Sequence, residues 1–226
     1  MLVLSIPIDG LEYNTTLDFP NGLLEKRAFD RTLRIMPLGA SITFGLRSFD
    51  GNGYRKYLRD QLRYDGFQVD MVGLNPNGTM KDNVRVYSST SLYYDSDCLT
   101  AVQDNEGWSG YHVVDVHNKF KLSGYLKPNV VLINVGTNDC RDNDDLTNIA
   151  TRMQNLLNEI WSKSPRALIL LSGLVPSRLS EGIDNCAKDV GNKYANLVTQ
   201  NRNNGKRIRF VPMVFPHHNS LALLKY

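Results

Sequence analysis

Five short apolar runs alternate with amphipathic stretches along this chain, and that alternation limits its possible folds more than any other feature. The runs are Arg34–Leu38, Gln68–Val72, Val130–Val135, Leu168–Leu171 and Ile208–Val211. Between the first two, Gly53–Tyr64 spaces Tyr54, Tyr57, Leu58 and Leu62 as one helix face. Val113–Leu126 reads as a helix that stops before Lys127-Pro128. Leu146–Trp161 sets Leu146, Ile149, Met153, Leu156, Leu157 and Ile160 on one stripe, and Cys186–Thr199 reads as another helix. Strands joined by crossover helices imply a parallel sheet with helices on both faces. The nearly unbroken apolar run Val130–Val135 suits a central strand buried on both sides. The expectation is an α/β chain: a three-layer α/β/α, flavodoxin-like domain with a five-stranded parallel sheet.

Chemistry in such sheets collects at the carboxyl ends of the strands. There the first run stops at Gly39, and Ser41 follows two residues later. A serine at this turn can sit over a helix N-terminus, where backbone N–H groups favour negative charge. It can equally be a plain helix cap. Two more blocks bear on it: Asn105-Glu106-Gly107-Trp108-Ser109-Gly110-Tyr111, and the third strand running into Gly136-Thr137-Asn138-Asp139-Cys140. Asn138 alone could be a turn residue and Gly110 a loop glycine.

Taken in this order, the three blocks resemble the SGNH, or GDSL-like, hydrolases, in particular secreted fungal esterases of the carbohydrate-esterase type. The resemblance runs from Leu33 to about Met213. It implies the strand order 2-1-3-4-5 and an acyl-enzyme reaction with Ser41 as nucleophile. It also implies an oxyanion hole made by the Ser41 N–H, the Gly110 N–H and the Asn138 side chain. Ala40 stands where the family usually has an aspartate before its serine. The implied substrate is an ester, acetyl among the candidates, on carbohydrate.

A serine nucleophile needs a base, and the base needs an orienting partner. The family carries these in an Asp-x-x-His-Pro block after the fifth strand, followed by a last helix. This chain has Pro216-His217-His218-Asn219 there, with Val214 and Phe215 at the positions an aspartate would hold. The reading is a last block that is replaced or truncated, with His217 the candidate base because it lies nearer the strand. The alternative is an impaired relative that binds sugar without a working Asp-His pair. His112 and His117, five apart, do not share a face as zinc-helix histidines would, and read as helix-surface residues. Asp139, Asp142, Asp144 and Asp145 read as a solvated or helix-capping cluster. No spacing of ligand residues suggests a metal, and no cofactor is expected.

The 226 residues suit one domain, at 31–226, after an extension at 1–30 in which Leu24-Glu25-Lys26-Arg27-Ala28 reads like a dibasic propeptide site. Residues 84–103 interrupt the pattern: removing them would rejoin Asp82-Asn83 to Asp104-Asn105. They read as an insertion, either a retained intron or an unusual surface loop. A net charge of +3 argues against nucleic acid as a partner. No run reaches the roughly 18 apolar residues of a membrane span. The apolar start Met1–Ile8 lacks the basic residues and cleavage site of a signal peptide. Sequons at Asn14 and Asn77, together with the resemblance, nevertheless point to secretion. Of the three cysteines, Cys140 and Cys186 fall at one edge of the sheet and could pair, if geometry permits. A monomer is expected.

Overall fold

The computed structural model describes residues 32–80, 104–176 and 180–213. The extension at 1–30, the insertion at 84–103, Asn14, His217 and His218 lie outside the described residues. The elements are β1 (Thr32–Gly39), α1 (Ser41–Phe44), α2 (Tyr54–Tyr64), β2 (Gln68–Met71), β3 (Glu106–Gly107) and α3 (Val113–Ser123). They continue with β4 (Val130–Asn134), α4 (Thr137–Asp142), α5 (Ile149–Lys163), β5 (Leu168–Ser172), α6 (Glu181–Asn203) and β6 (Ile208–Val211).

The five long strands pair in parallel in the order β2-β1-β4-β5-β6, which is the expected 2-1-3-4-5 arrangement. The sheet has a sixth member that periodicity cannot reveal. Two-residue β3 pairs with β1 at Leu38 and Gly39, beyond the point where β2 leaves off at Ile35. Pro37 sits at this handover. The Ile35 carbonyl accepts from Val72 N–H and the Gly39 carbonyl from Trp108 N–H, while Ala40 N–H donates to Asn134 O on the opposite side. Backbone groups alternate along a strand, so Pro37 faces the β2/β3 edge. Its missing N–H leaves the ladder to β4 intact.

Helices α3, α5 and α6 bury Val116, Phe120, Met153, Leu157, Val190 and Leu197 against Met36, Leu38, Val131 and Ile133 on one face of the sheet. On the other face Leu58 and Leu62 of α2 pack with Ile35, Val69 and Met71. The three layers are therefore uneven. Among the described residues the second face carries α2 alone, and Leu132, Leu168 and Leu170 there are only half-buried.

Two helix readings need correction. In α2 the buried residue is Arg55 and not the expected Tyr57, which is 70% exposed. Arg55 can lie inside because both of its terminal nitrogens find acceptors, while Nε stays without one. It pairs with Asp104 at 2.6 Å and donates to the carbonyls of Gly51 and Asn77. Helix α6 begins at Glu181, five residues before the expected start, because Ser180 caps it by accepting from Ile183 N–H.

Cys140 in α4 and Cys186 in α6 form a disulfide, with Cα atoms 5.7 Å apart. It closes a loop of 46 residues in sequence and ties the helix bearing Asn138 to the long helix behind it. The substitution Cys186→Ser is expected to cost about 2–4 kcal/mol of stability, read as a lower midpoint by calorimetry. An unchanged midpoint would show that packing alone holds α4.

Candidate active site

Each of the three blocks is placed by a strand end. Gly39 closes β1 against β4 so tightly that a Cβ there would lie 2.2 Å from the Asn134 carbonyl oxygen. The chain then turns into α1 with Ser41 as its first residue. An opening residue of a helix has no intrahelical partner for its N–H. Neither that N–H nor the half-exposed Ser41 hydroxyl is hydrogen-bonded within the described residues. Gly110 has φ +85°, a conformation that favours glycine, in a turn closed by Tyr111 N–H donating to Trp108 O. Asn138 lies in α4, just beyond the end of β4, and is buried.

Each pair of blocks is tied together. Trp108 N–H donates to Gly39 O at 2.9 Å, joining the second block to the serine turn. Ala40 N–H donates to Asn134 O at 3.2 Å, joining the serine turn to the third block. Asn138 Nδ2 donates to the Tyr111 carbonyl at 2.8 Å, joining the third block to the second. Blocks spread over about a hundred residues of sequence thus form a closed triangle at the carboxyl end of the sheet. That is where open α/β folds hold their ligands.

The second block is rigid for reasons its sequence conceals. The Trp108 indole N–H donates to Glu106 Oε1 at 2.6 Å, and Leu74 N–H donates to the other oxygen. The Trp108 ring stacks on Tyr111 with centroids 5.8 Å apart, and Lys119 Nζ sits 3.9 Å over the indole. A cavity of about 530 Å³ opens beside the turn, lined by Gly110, Tyr111, His112, Asp115 and Asn118 among others. Ser41 and Asn138 do not line it, so the cavity belongs to the Gly110 turn and α3.

The histidine and acidic readings change. His112 is the residue that caps α3, with Nε2 2.9 Å from Asp142 and Nδ1 3.5 Å from Asp115. His117 is partly buried, with Nε2 lacking a partner, and burial lowers its pKa. In the acidic cluster, Asp139 is fully buried rather than solvated. It accepts from Val113 N–H and pairs with Arg152 at 3.3 Å. Asp144 also pairs with Arg152, and Asp145 accepts from Asn148 ahead of α5. Among the described residues no group of His, Cys, Asp and Glu could hold a metal, and no helix is long and apolar enough to cross a membrane. The Asn77 sequon lies in a fold that already uses its nitrogen, since Asn77 Nδ2 donates to both Phe44 O and Gly51 O. A glycan would remove one of those two hydrogens.

Titration of the buried carboxyls has a signed consequence. Burial raises Glu106 above its ordinary 4.5 and Asp139 above 3.8. A carboxyl with a raised folded pKa favours folding most below its unfolded value, and that contribution declines as pH climbs through the folded one. Asp142 behaves oppositely. Hydrogen bonds from Arg141 and His112 bring it down to about 2, so its contribution is present above 3.8 and is lost as pH falls toward 2. The carboxyl contribution to thermal stability is therefore expected to be largest at about pH 4 and to decline as pH rises, whereas His117, with its pKa lowered, adds stability as pH rises through 6.5. In a His117→Asn background, a midpoint rising steadily from pH 5 to pH 8 would contradict the carboxyl part.

A parallel sheet in this order, with a serine, a glycine turn and an asparagine gathered at its carboxyl edge, defines an SGNH-type hydrolase fold. The sequence profile of the GDSL-like lipase/acylhydrolase family matches residues 94–223, and the chain belongs to that family. It is 33% identical over 150 residues to a multidomain esterase of Ruminococcus flavefaciens. That match covers 59% of this chain but 18% of the bacterial protein. The family 3 carbohydrate esterase of Clostridium thermocellum superposes with a TM-score of 0.59 at 25% identity, covering 80% of this chain and 78% of that one. A family 3 carbohydrate esterase from Talaromyces cellulolyticus shares the fold at 22% identity, with a TM-score of 0.53 and coverage of 80% and 78%.

Proposed function

We propose that this chain is a secreted serine esterase that removes acyl groups, acetyl among them, from carbohydrate. The closed triangle of hydrogen bonds among the three blocks carries the reading. It gathers a serine whose hydroxyl has no hydrogen-bond partner among the described residues, a left-handed glycine turn and an asparagine amide at one sheet edge. Ser41 attacks the ester carbonyl, and its own N–H, the Gly110 N–H and Asn138 Nδ2 stabilise the oxyanion. His217 takes the serine proton and returns it to the leaving alcohol; water then releases the acid from the acyl-enzyme. The Trp108–Tyr111 stack, with Tyr111 lining the cavity alongside Asp115 and Asn118, favours a sugar as the group that carries the ester. The disulfide favours an oxidising compartment.

A second reading rests on one observation. Val214 and Phe215 occupy the places where an aspartate would orient a histidine. It is an SGNH-fold sugar-binding protein with an intact oxyanion pocket and no working base. A serine-directed fluorophosphonate separates the two. Stoichiometric labelling that maps to Ser41 supports the esterase. Absence of labelling on a protein with a cooperative melt overturns it and leaves the binding module.

A further inference from the structure

We propose that Arg141 is the positioning residue that aims Asn138 at the oxyanion and strengthens it as a donor. The inference rests on the reading of Asn138 as an oxyanion donor. The Asn138 amide has two fixed partners. Its Nδ2 donates to the Tyr111 carbonyl at 2.8 Å, and its Oδ1 accepts from Arg141 Nη1 at 3.0 Å. A carbonyl only accepts and a guanidinium only donates, so the pair settles which end of the amide is oxygen and which is nitrogen. One of the two Nδ2 hydrogens goes to Tyr111. The other is left for a ligand, its direction set by the same plane.

The guanidinium is itself held. Arg141 Nε donates to Asp142 Oδ1 at 2.7 Å and Nη2 to Asp142 Oδ2 at 2.6 Å, a bidentate pair. Asp142 Oδ2 also lies 2.9 Å from His112 Nε2. The relay His112–Asp142–Arg141–Asn138 therefore begins at the α3 cap, two residues beyond Gly110, and ends on the asparagine. A cation on the amide oxygen draws electron density from the nitrogen and makes its N–H a stronger donor, because hydrogen bonds in a chain polarise one another. Arg141 is about half exposed, so its loss does not empty a core.

The test compares Arg141→Ala, Arg141→Lys and Asn138→Ala, singly and as the Arg141→Ala/Asn138→Ala double variant, in the full 226-residue chain. Turnover of p-nitrophenyl acetate is measured alongside the side-chain amide resonances of Asn138. Asn138→Ala is expected to lower kcat roughly 100- to 1000-fold. Arg141→Ala is expected to lower kcat about 10-fold at nearly constant KM, and to add nothing in the Asn138→Ala background. Arg141→Lys puts one point charge where a planar fork spans two partners, and should recover only part of the loss. The Asn138 amide resonances should shift and broaden in Arg141→Ala while the melt stays cooperative. Equal losses from Arg141→Ala in both backgrounds, or unchanged Asn138 resonances, overturn the proposal. The resonances decide the matter even where turnover is too low to read. A harmless Asn138→Ala would instead remove Asn138 from the oxyanion hole, and the proposal with it.

Discussion

Ser41→Ala is expected to lower esterase turnover by about 10⁴- to 10⁶-fold and to leave the fold intact. The chemical half of this follows from the proposed mechanism. Without the hydroxyl no acyl-enzyme forms, and the oxyanion donors act only on slow attack by water. The structural half follows from position. Ser41 is half-exposed at the first residue of α1, and its hydroxyl makes no hydrogen bond within the described residues, so an alanine orphans no partner. Burst kinetics with p-nitrophenyl acetate and a thermal melt check both halves. Turnover within about 10-fold of the parent would remove Ser41 as the nucleophile. A collapsed melt would show that the serine is structural.

Asp104→Ala is expected to destabilise the protein by about 3–5 kcal/mol, because it leaves the guanidinium of Arg55 unpaired in the interior. The side chains of this pair are 0% and 2% exposed, and their 2.6 Å contact joins α2 to the residue that leads into the Glu106–Gly107 strand. For a domain of this size the melting point should drop by about 6–20 °C. Replacing both partners with apolar residues often restores stability at buried ion pairs. It should fail here, because Arg55 also donates to the Gly51 and Asn77 carbonyls, and the Asn77 carbonyl would keep only a 3.5 Å contact from Asn105 Nδ2. The same bonds brace the loop that follows Ser41, so a variant that still folds should label more slowly with a fluorophosphonate. A midpoint within 2 °C of the parent would show that the pair contributes nothing net, as calorimetry at about 1 kcal/mol resolution can establish.

The periodic elements were legible from the chain because burial imposes a repeat on them. Apolar runs identified the five long strands, and the Ile149–Ile160 stripe identified α5 to within a turn. Arg55 was not legible. A charged residue on a helix reads as solvated until the carbonyls and the carboxylate that surround it are known. Strand β3 escaped because two residues carry no period; only its pairing with Leu38 and Gly39 makes it a strand. The start of α6 could have been read from Ser180 followed by Glu181, an N-cap with an acidic first turn.

The sequence by itself determined the α/β class and the three blocks that carry the candidates Ser41, Gly110 and Asn138, because glycine, serine and asparagine at strand ends are local choices. Tertiary structure alone decided how those blocks meet. The serine turn lies beside the Gly110 turn because β3 takes over the edge of β1 where β2 ends. The Asn138 amide is oriented because the Tyr111 carbonyl and Arg141 converge on it from two different elements. Local sequence can place a donor at the end of a strand. The direction in which that donor points depends on a neighbour in its own helix and on the Tyr111 carbonyl, 27 residues away, which only the packing of the sheet brings close.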